Sequence, residues 1–218
     1  MTFSRKRVGV LISGRGSNMR SLVEAARAPD FPAEITLVLS NIANAAGLEF
    51  ARKQGVATTV VDHKAFSDRE SFERAMHETL VGRGVELVCL AGFMRLLTPW
   101  FVEQWRGRML NIHPALLPSF RGLHTHARAL GEGVKIHGAT VHFVVPEMDA
   151  GPIVVQAAVA VLEDDTPEAL GARVLAQEHR IYPLALNLVA RGAARVEGAR
   201  VKIEGERPAP DALVWPRA

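Results

Sequence analysis

The sequence predicts an α/β fold: a Rossmann-like, mostly parallel sheet with helices on both faces, continued by a C-terminal half with antiparallel strands. Three observations predict it. Short β-branched or leucine-rich runs at residues 8–12, 35–39, 58–61 and 87–90 alternate with segments of helical spacing. The first run ends in a glycine-rich turn, Ser13-Gly14-Arg15-Gly16-Ser17-Asn18, that opens a helix. Further on, the alternating run 138–144 and the run 153–161 flank a loop bounded by Pro146 and Pro152, the pattern of an antiparallel pair.

The elements follow in order. Helices are expected to begin near Ser17, Ala45 and Ser67, the last as a capping box in which Ser67 caps and Glu70 returns the bond. Repeated strand–helix units imply a parallel sheet with right-handed crossovers, and such sheets bind ligands beyond the carboxyl ends of their strands. A strand at 109–112, a proline-punctuated loop and a short helix at 125–130 lead into the antiparallel pair. Thr166-Pro167-Glu168 opens a long helix, with Thr166 as N-cap and Pro167 at its first position, and Pro183 is expected to kink or end it. Segments 194–197 and 201–204 flank Gly198-Ala199-Arg200 as a small hairpin, and the last dozen residues read as a loose tail.

Composition excludes several classes. With 218 residues, 48% of them hydrophobic and 22% charged, the chain buries a full core and is not disordered. A formal charge of +3 with scattered basic residues gives no stripe for nucleic acid, though it suits small anionic substrates. The single cysteine, Cys89, lies in an apolar run and reads as a buried, inert thiol in a reducing compartment. No apolar run approaches the roughly 18 residues that cross a bilayer, and residues 8–12 are too short for a signal peptide. A cytoplasmic protein without membrane or nucleic-acid partners is expected.

The stretch Asn111-Ile112-His113-Pro114, answered downstream by Met148-Asp149-Ala150-Gly151-Pro152, carries the chemistry. Positions i and i+2 share a strand face, so an amide and an imidazole converge on one ligand atom. An imidazole transfers protons near neutral pH, an amide holds an oxyanion, and a carboxylate favours the charged imidazole. These are parts for acyl transfer. A loop cap at Asn111, a strand-end histidine and a turn aspartate are the plain structural alternatives. The glycine turn suits a phosphate at a helix N-terminus, or serves strand-to-helix geometry alone. A dinucleotide is rejected, because Met19 stands where the third glycine would be and Ser40-Asn41 supplies no acid for a ribose. Metal binding is disfavoured despite His113, His124, His126, His137 and His142, since no ligand spacing matches and His137 and His142 point to opposite strand faces.

Taken together, residues 11–18, Ala91-Gly92-Phe93-Met94-Arg95, Asn111-Ile112-His113-Pro114-Ala115-Leu116-Leu117-Pro118 and Gly122-Leu123-His124-Thr125-His126 closely resemble the folate-dependent phosphoribosylglycinamide formyltransferases of purine synthesis. The resemblance runs from about Val8 to Tyr182, with several motifs in the family's order. Relatives that act on tRNA carry an added C-terminal domain, and formyltetrahydrofolate hydrolases an N-terminal one, so neither is expected. Arg15 stands where some relatives have asparagine and Ala115 where they have serine; neither removes a proposed catalytic group.

The resemblance implies a formyltransferase fold in one domain, 1–218, with a phosphate-binding half at 1–105, a catalytic and folate-binding half at 106–204 and a tail at 205–218. It implies that Asn111, His113 and Asp149 are catalytic. Gly16, Ser17 and Asn18 would hold the substrate phosphate, and Glu178 would contact the glycinamide substrate. Folate would be held by Arg69, by Met94, Arg95, Leu96 and Leu97, by Val144 and Val145, and by Asn111 and Asp149. The co-substrate would be 10-formyltetrahydrofolate, with small-molecule partners, no metal, and a monomer or homodimer. Three alternatives stay open: transfer to a different amine, formyl-folate hydrolysis, or a non-enzymatic nucleotide-binding module that leaves Asn111, His113 and Asp149 without purpose.

Overall fold

The computed structural model describes residues 4–205. In chain order its elements are β1 (Lys6–Ile12), α1 (Ser17–Ala25), β2 (Ala33–Ser40), α2 (Ala46–Lys53), β3 (Ala57–Val60), α3 (Arg69–Gly82), β4 (Leu87–Leu90), α4 (Pro99–Gln104) and β5 (Met109–His113). There follow α5 (Thr125–Gly131), β6 (Ile136–Phe143), β7 (Ile153–Ala160), α6 (Pro167–Ala190), β8 (Ala194–Glu197) and β9 (Arg200–Ile203). Seven strands form one sheet in the order β3-β2-β1-β4-β5-β6-β7, and β8-β9 is a separate hairpin. β1 to β5 pair in parallel, whereas β6 runs antiparallel to both β5 and β7. The predicted fold class holds.

Strand periodicity sorts the core onto two faces. Val8, Val10 and Ile12 of β1 join Met19, Leu22, Leu48, Val174 and Leu186 from α1, α2 and α6. Leu11 points the other way, into Leu37, Leu39, Phe72, Met76, Phe101 and Trp105, packed under α3 and α4. Between β4 and β5, the fully buried Tyr182 hydroxyl lies 2.9 Å from Leu90 O and 3.2 Å from Leu110 O, tying α6 to both strands. Burial pushes the neighbouring Cys89 thiol up to about 12, against a smaller lowering from Tyr182, so it stays protonated and inert.

Three local expectations need correction. The cap of α3 is Asp68, not Ser67: its carboxylate accepts from Ser71 N at 2.8 Å, and Glu70 turns away to pair with Arg74. A charged acceptor at the positive end of a helix outcompetes a hydroxyl. Pro183 does not end α6, which continues to Ala190. Buried Ile181, Tyr182, Ala185 and Leu186 on both sides hold the helix against the sheet, and packing outweighs the one backbone bond that proline removes. The third is an omission. α4 was not foreseen, although Thr98-Pro99 carries the same cap signature as Thr166-Pro167. Buried Glu73 anchors it by accepting bonds from the Thr98 amide, at 2.8 Å, and the Thr98 hydroxyl. The expected tail, residues 206–218, lies outside the described residues.

Candidate active site

The glycine turn ends β1 and reverses into α1. Gly16 adopts φ 69°, and no side chain caps the helix, so its first-turn amides carry no side-chain acceptor. The turn is pinned from α2, where Gly47 N donates to Gly14 O at 3.1 Å. A Cβ on Gly47 would lie 2.7 Å from Ile12 Cδ1 and 3.3 Å from Arg15 O, so any side chain there must push the Ile12 tip aside and crowd the turn's main chain. Asn18 is buried beside α6 and donates its amide to Glu178 Oε2 at 2.5 Å, which joins two of the residues expected on the substrate side. Burial raises the Glu178 carboxyl above its ordinary range, and the Asn18 bond opposes that rise. A cavity of about 720 Å³ opens between α1 and α6, bordered by Arg15, Ser17, Arg20, Glu24 and His179; neither Asn18 nor Glu178 lines it.

The second cluster grows from two rungs of β5 and β6, one on each side of the Ile112–Val141 rung, where Asn111 pairs with His142 and His113 with Thr140. Loop 144–152 leaves β6 beside Met109 and brings Asp149 back over these rungs in a left-handed conformation, φ 51°. Asp149 Oδ2 lies 3.5 Å from His113 Nδ1 and accepts from Gly122 N at 2.9 Å. The opposite nitrogen, His113 Nε2, is 2.9 Å from Phe120 O. Both ring nitrogens thus face oxygen atoms, one of a carboxylate and one of the main chain. The structure therefore brings Asn111, His113 and Asp149 into one cluster.

His142 is a member that sequence reasoning weighed only as a metal ligand. Its Nδ1 is 2.9 Å from the Phe143 carbonyl and must donate to it, which leaves Nε2 to accept from Asn111 Nδ2 at 3.2 Å. Burial lowers the His142 pKa, and the neutral ring is the form this network needs. One N–H of Asn111 is used in this way and the other remains for a ligand. Thr140 is a second omission: its hydroxyl donates to Ala115 O at 2.7 Å and accepts from Leu117 N at 3.0 Å, securing the proline loop after His113. The signal was present, since Thr140 and His142 stand at i and i+2 in an apolar strand, as Asn111 and His113 do.

On the other side of Asn111, segment 92–97 leaves β4 just beyond the rung that pairs Leu90 with Asn111. Met94, Arg95 and Leu96 are exposed, whereas Leu97 and Val144 pack against the second core. Val145 is half-buried on loop 144–152, and Arg69 is exposed as the first residue of α3. Exposed Leu123 and Met148 add apolar surface from the two loops that meet at Asp149. Four large exposed apolar side chains at the rim of a polar cluster suit a flat, partly apolar ligand. Among the described residues no group of three or more His, Cys, Asp or Glu is placed to hold a metal ion.

A model of the formyl transferase family, described as "Formyl transferase", matches residues 6–186. The chain belongs to that family. This formyltransferase is 43% identical over 201 residues to the phosphoribosylglycinamide formyltransferase of Escherichia coli (strain K12), covering 92% of this chain and 95% of that protein. It is 49% identical over 198 residues to the trifunctional purine biosynthetic protein adenosine-3 of Bos taurus, covering 90% of this chain but only 20% of the bovine protein's length. Its fold matches the crystal structure of glycinamide ribonucleotide transformylase 1 from Symbiobacterium toebii with a TM-score of 0.89, at 48% identity over 91% of this chain and 94% of that one.

Close to the formyltransferase's His113, His137 packs edge-on to Phe120 and His126, at 5.6 and 5.4 Å between ring centres. Burial lowers its pKa to about 4. In the unfolded chain this ring takes up a proton near pH 6.5. Its contribution is therefore complete above about pH 6.5 and is lost as pH falls towards 4, on the order of 3 kcal/mol. Urea unfolding at pH 7 and pH 4.5 is expected to show this loss, and His137→Gln to shrink the difference. An unchanged pH difference in the variant would contradict this account.

Proposed function

We propose that the protein transfers the formyl group of 10-formyltetrahydrofolate to the amine of phosphoribosylglycinamide, in purine biosynthesis. The observation that carries the reading is the meeting of Asn111 and His113, on one face of β5, with Asp149 of loop 144–152, the Asp149–His113 contact being 3.5 Å. Kinship with proteins named for this activity supports it.

In this mechanism the acceptor amine attacks the formyl carbon directly, and no enzyme nucleophile forms a bond. The tetrahedral centre carries an oxyanion, stabilised by the free N–H of Asn111 and by protonated His113, roughly 3 kcal/mol per donor in comparable sites. Asp149 holds the imidazolium and accepts the proton released by the amine, through water. His113 then delivers a proton to N10 as the carbon–nitrogen bond to folate breaks, so one proton leaves one nitrogen and one arrives at the other. Holding the two substrates side by side supplies the entropic part. Because Phe120 O takes one His113 N–H, substrate must displace that carbonyl before the proton reaches the reacting atoms.

Gly16, Ser17 and Asn18 are assigned to the substrate phosphate, with Arg15 and Arg20 adding positive charge at the cavity rim, and Glu178 to the glycinamide side. Arg69, Met94, Arg95, Leu96, Leu97, Val144 and Val145 are assigned to the folate. The deciding experiment measures deformylation of 10-formyltetrahydrofolate with and without the phosphoribosylated amine. Acceptor-dependent turnover is expected; equal turnover without acceptor would make the protein a hydrolase, and none would make it a binding module. A second measurement compares acceptors with and without the phosphate. Removing it is expected to raise KM at least 10-fold, and equal KM values would sink the assignment of 16–18 as the anion site.

A further inference from the structure

The end of β2 holds a buried polar junction that the proposed mechanism does not use. Ser13, the first residue after β1, is buried, and so is Asn41, the first after β2. The Ser13 hydroxyl donates to Asn41 Oδ1 at 2.6 Å and accepts from the main-chain N–H of Met94 at 2.8 Å. Ser13 N in turn donates to Gly92 O at 3.2 Å. Asn41 is itself held by His63, whose Nδ1 lies 3.0 Å from the Asn41 carbonyl and whose ring meets Phe72 edge-on. The same serine therefore begins segment 13–18 and fastens segment 92–97. These are the two loops to which the phosphate and the pterin are assigned, and they touch through its main chain and its hydroxyl.

We propose that Asn41 is a positioning residue: by fixing the Ser13 hydroxyl, it sets the height of the Met94 loop against the glycine turn, and so sets the folate side of the site. The folate part of this statement rests on the function proposed above. The physical reason is donor accounting. A serine hydroxyl has one proton, and with Asn41 Oδ1 taking it, an oxygen lone pair faces Met94 N–H. Without the asparagine acceptor, the hydroxyl proton turns to another partner, and the part-buried Met94 amide loses an oriented acceptor. Hydrophobic packing holds only the flanks, Phe93 and Leu97, against the second core, whereas Met94 and Leu96 are 65% and 63% exposed. The loop's height depends on its main-chain bonds.

Two readouts test this with Asn41→Ala, Ser13→Ala and Asn41→Asp, the last keeping an acceptor towards Ser13. The first is amide hydrogen exchange, which needs no substrate. Exchange at Met94 is expected to accelerate about 10-fold in both alanine variants, with the β1 and β4 amides unchanged, and to recover in Asn41→Asp. The second is kinetic: Asn41→Ala is expected to raise KM for the formyl-folate 5- to 10-fold, with kcat and the acceptor KM within about 2-fold. Unchanged exchange at Met94 overturns the proposal, as does faster exchange with an unaltered folate KM. Uniform acceleration across the sheet also overturns it, by making the junction merely structural. A wild-type protein without acceptor-dependent turnover would instead refute the functional reading, while the exchange data would still decide whether Asn41 sets the loop.

Discussion

Replacement of His113 by alanine is expected to lower kcat about 10³-fold while leaving the formyl-folate Kd within about 3-fold. In the proposed mechanism the imidazole contributes twice, as an oxyanion donor and as the proton source for the departing N10, and each role contributes about 10²- to 10³-fold in comparable sites. Shared use of one proton keeps the total below their product. The ring is 5% exposed, so truncation also leaves a void and two acceptors, Phe120 O and Asp149, without their partner. A thermal midpoint measured beside the kinetics separates that cost from chemistry. His113→Gln, which refills part of the void but transfers no proton, is expected to recover stability without recovering kcat. Near-normal turnover in either variant would remove His113 from the mechanism.

Asp149→Asn is the second large effect, with kcat expected to fall about 10²-fold and substrate affinities held within a few-fold. The carboxylate does two things: it accepts the Gly122 amide, and it faces the His113 imidazole. Asparagine can keep the first contact through its own oxygen. It cannot stabilise the imidazolium or accept the proton from the amine, so the loop should stay closed while the chemistry slows. Stopped-flow binding of the folate and steady-state turnover, measured on the same variant, distinguish the two. Equal losses in binding and turnover would mean that Asp149 only shapes the loop.

Much of the fold was readable because its strands and helices are long enough for periodicity to speak. β1, β2 and β6 carry their burial pattern openly, and the Thr166-Pro167 cap marked the start of α6 to the residue. α4 escaped because six residues give less than two turns of pattern. Of the two outcomes expected at Pro183, a kink or an end, the end does not occur, because buried residues on both sides hold α6 to the sheet despite the missing N–H. At the site, Asn111 and His113 were legible from their spacing within one strand. Asp149 was recognised by its motif, but its arrival at His113 is a property of a loop path. His142 and Thr140 carried the same i, i+2 signal within their own strand, but which partners they face follows only from the β5–β6 register, a relation between segments.

The reversal of direction after β5 has a consequence for what such a site can become. Because β6 returns alongside β5, Asn111, His142, His113 and Thr140 occupy two rungs of one hydrogen-bonded ladder, on either side of Ile112–Val141, whereas segments 13–16, 92–97 and 144–152 are loops around it. Backbone pairing fixes the spacing of the reactive groups, and loop sequence is free to vary without moving them. A change of acceptor therefore calls for new loops on an old ladder, and grafting loops from a relative with another amine substrate should move specificity while leaving the formyl chemistry in place.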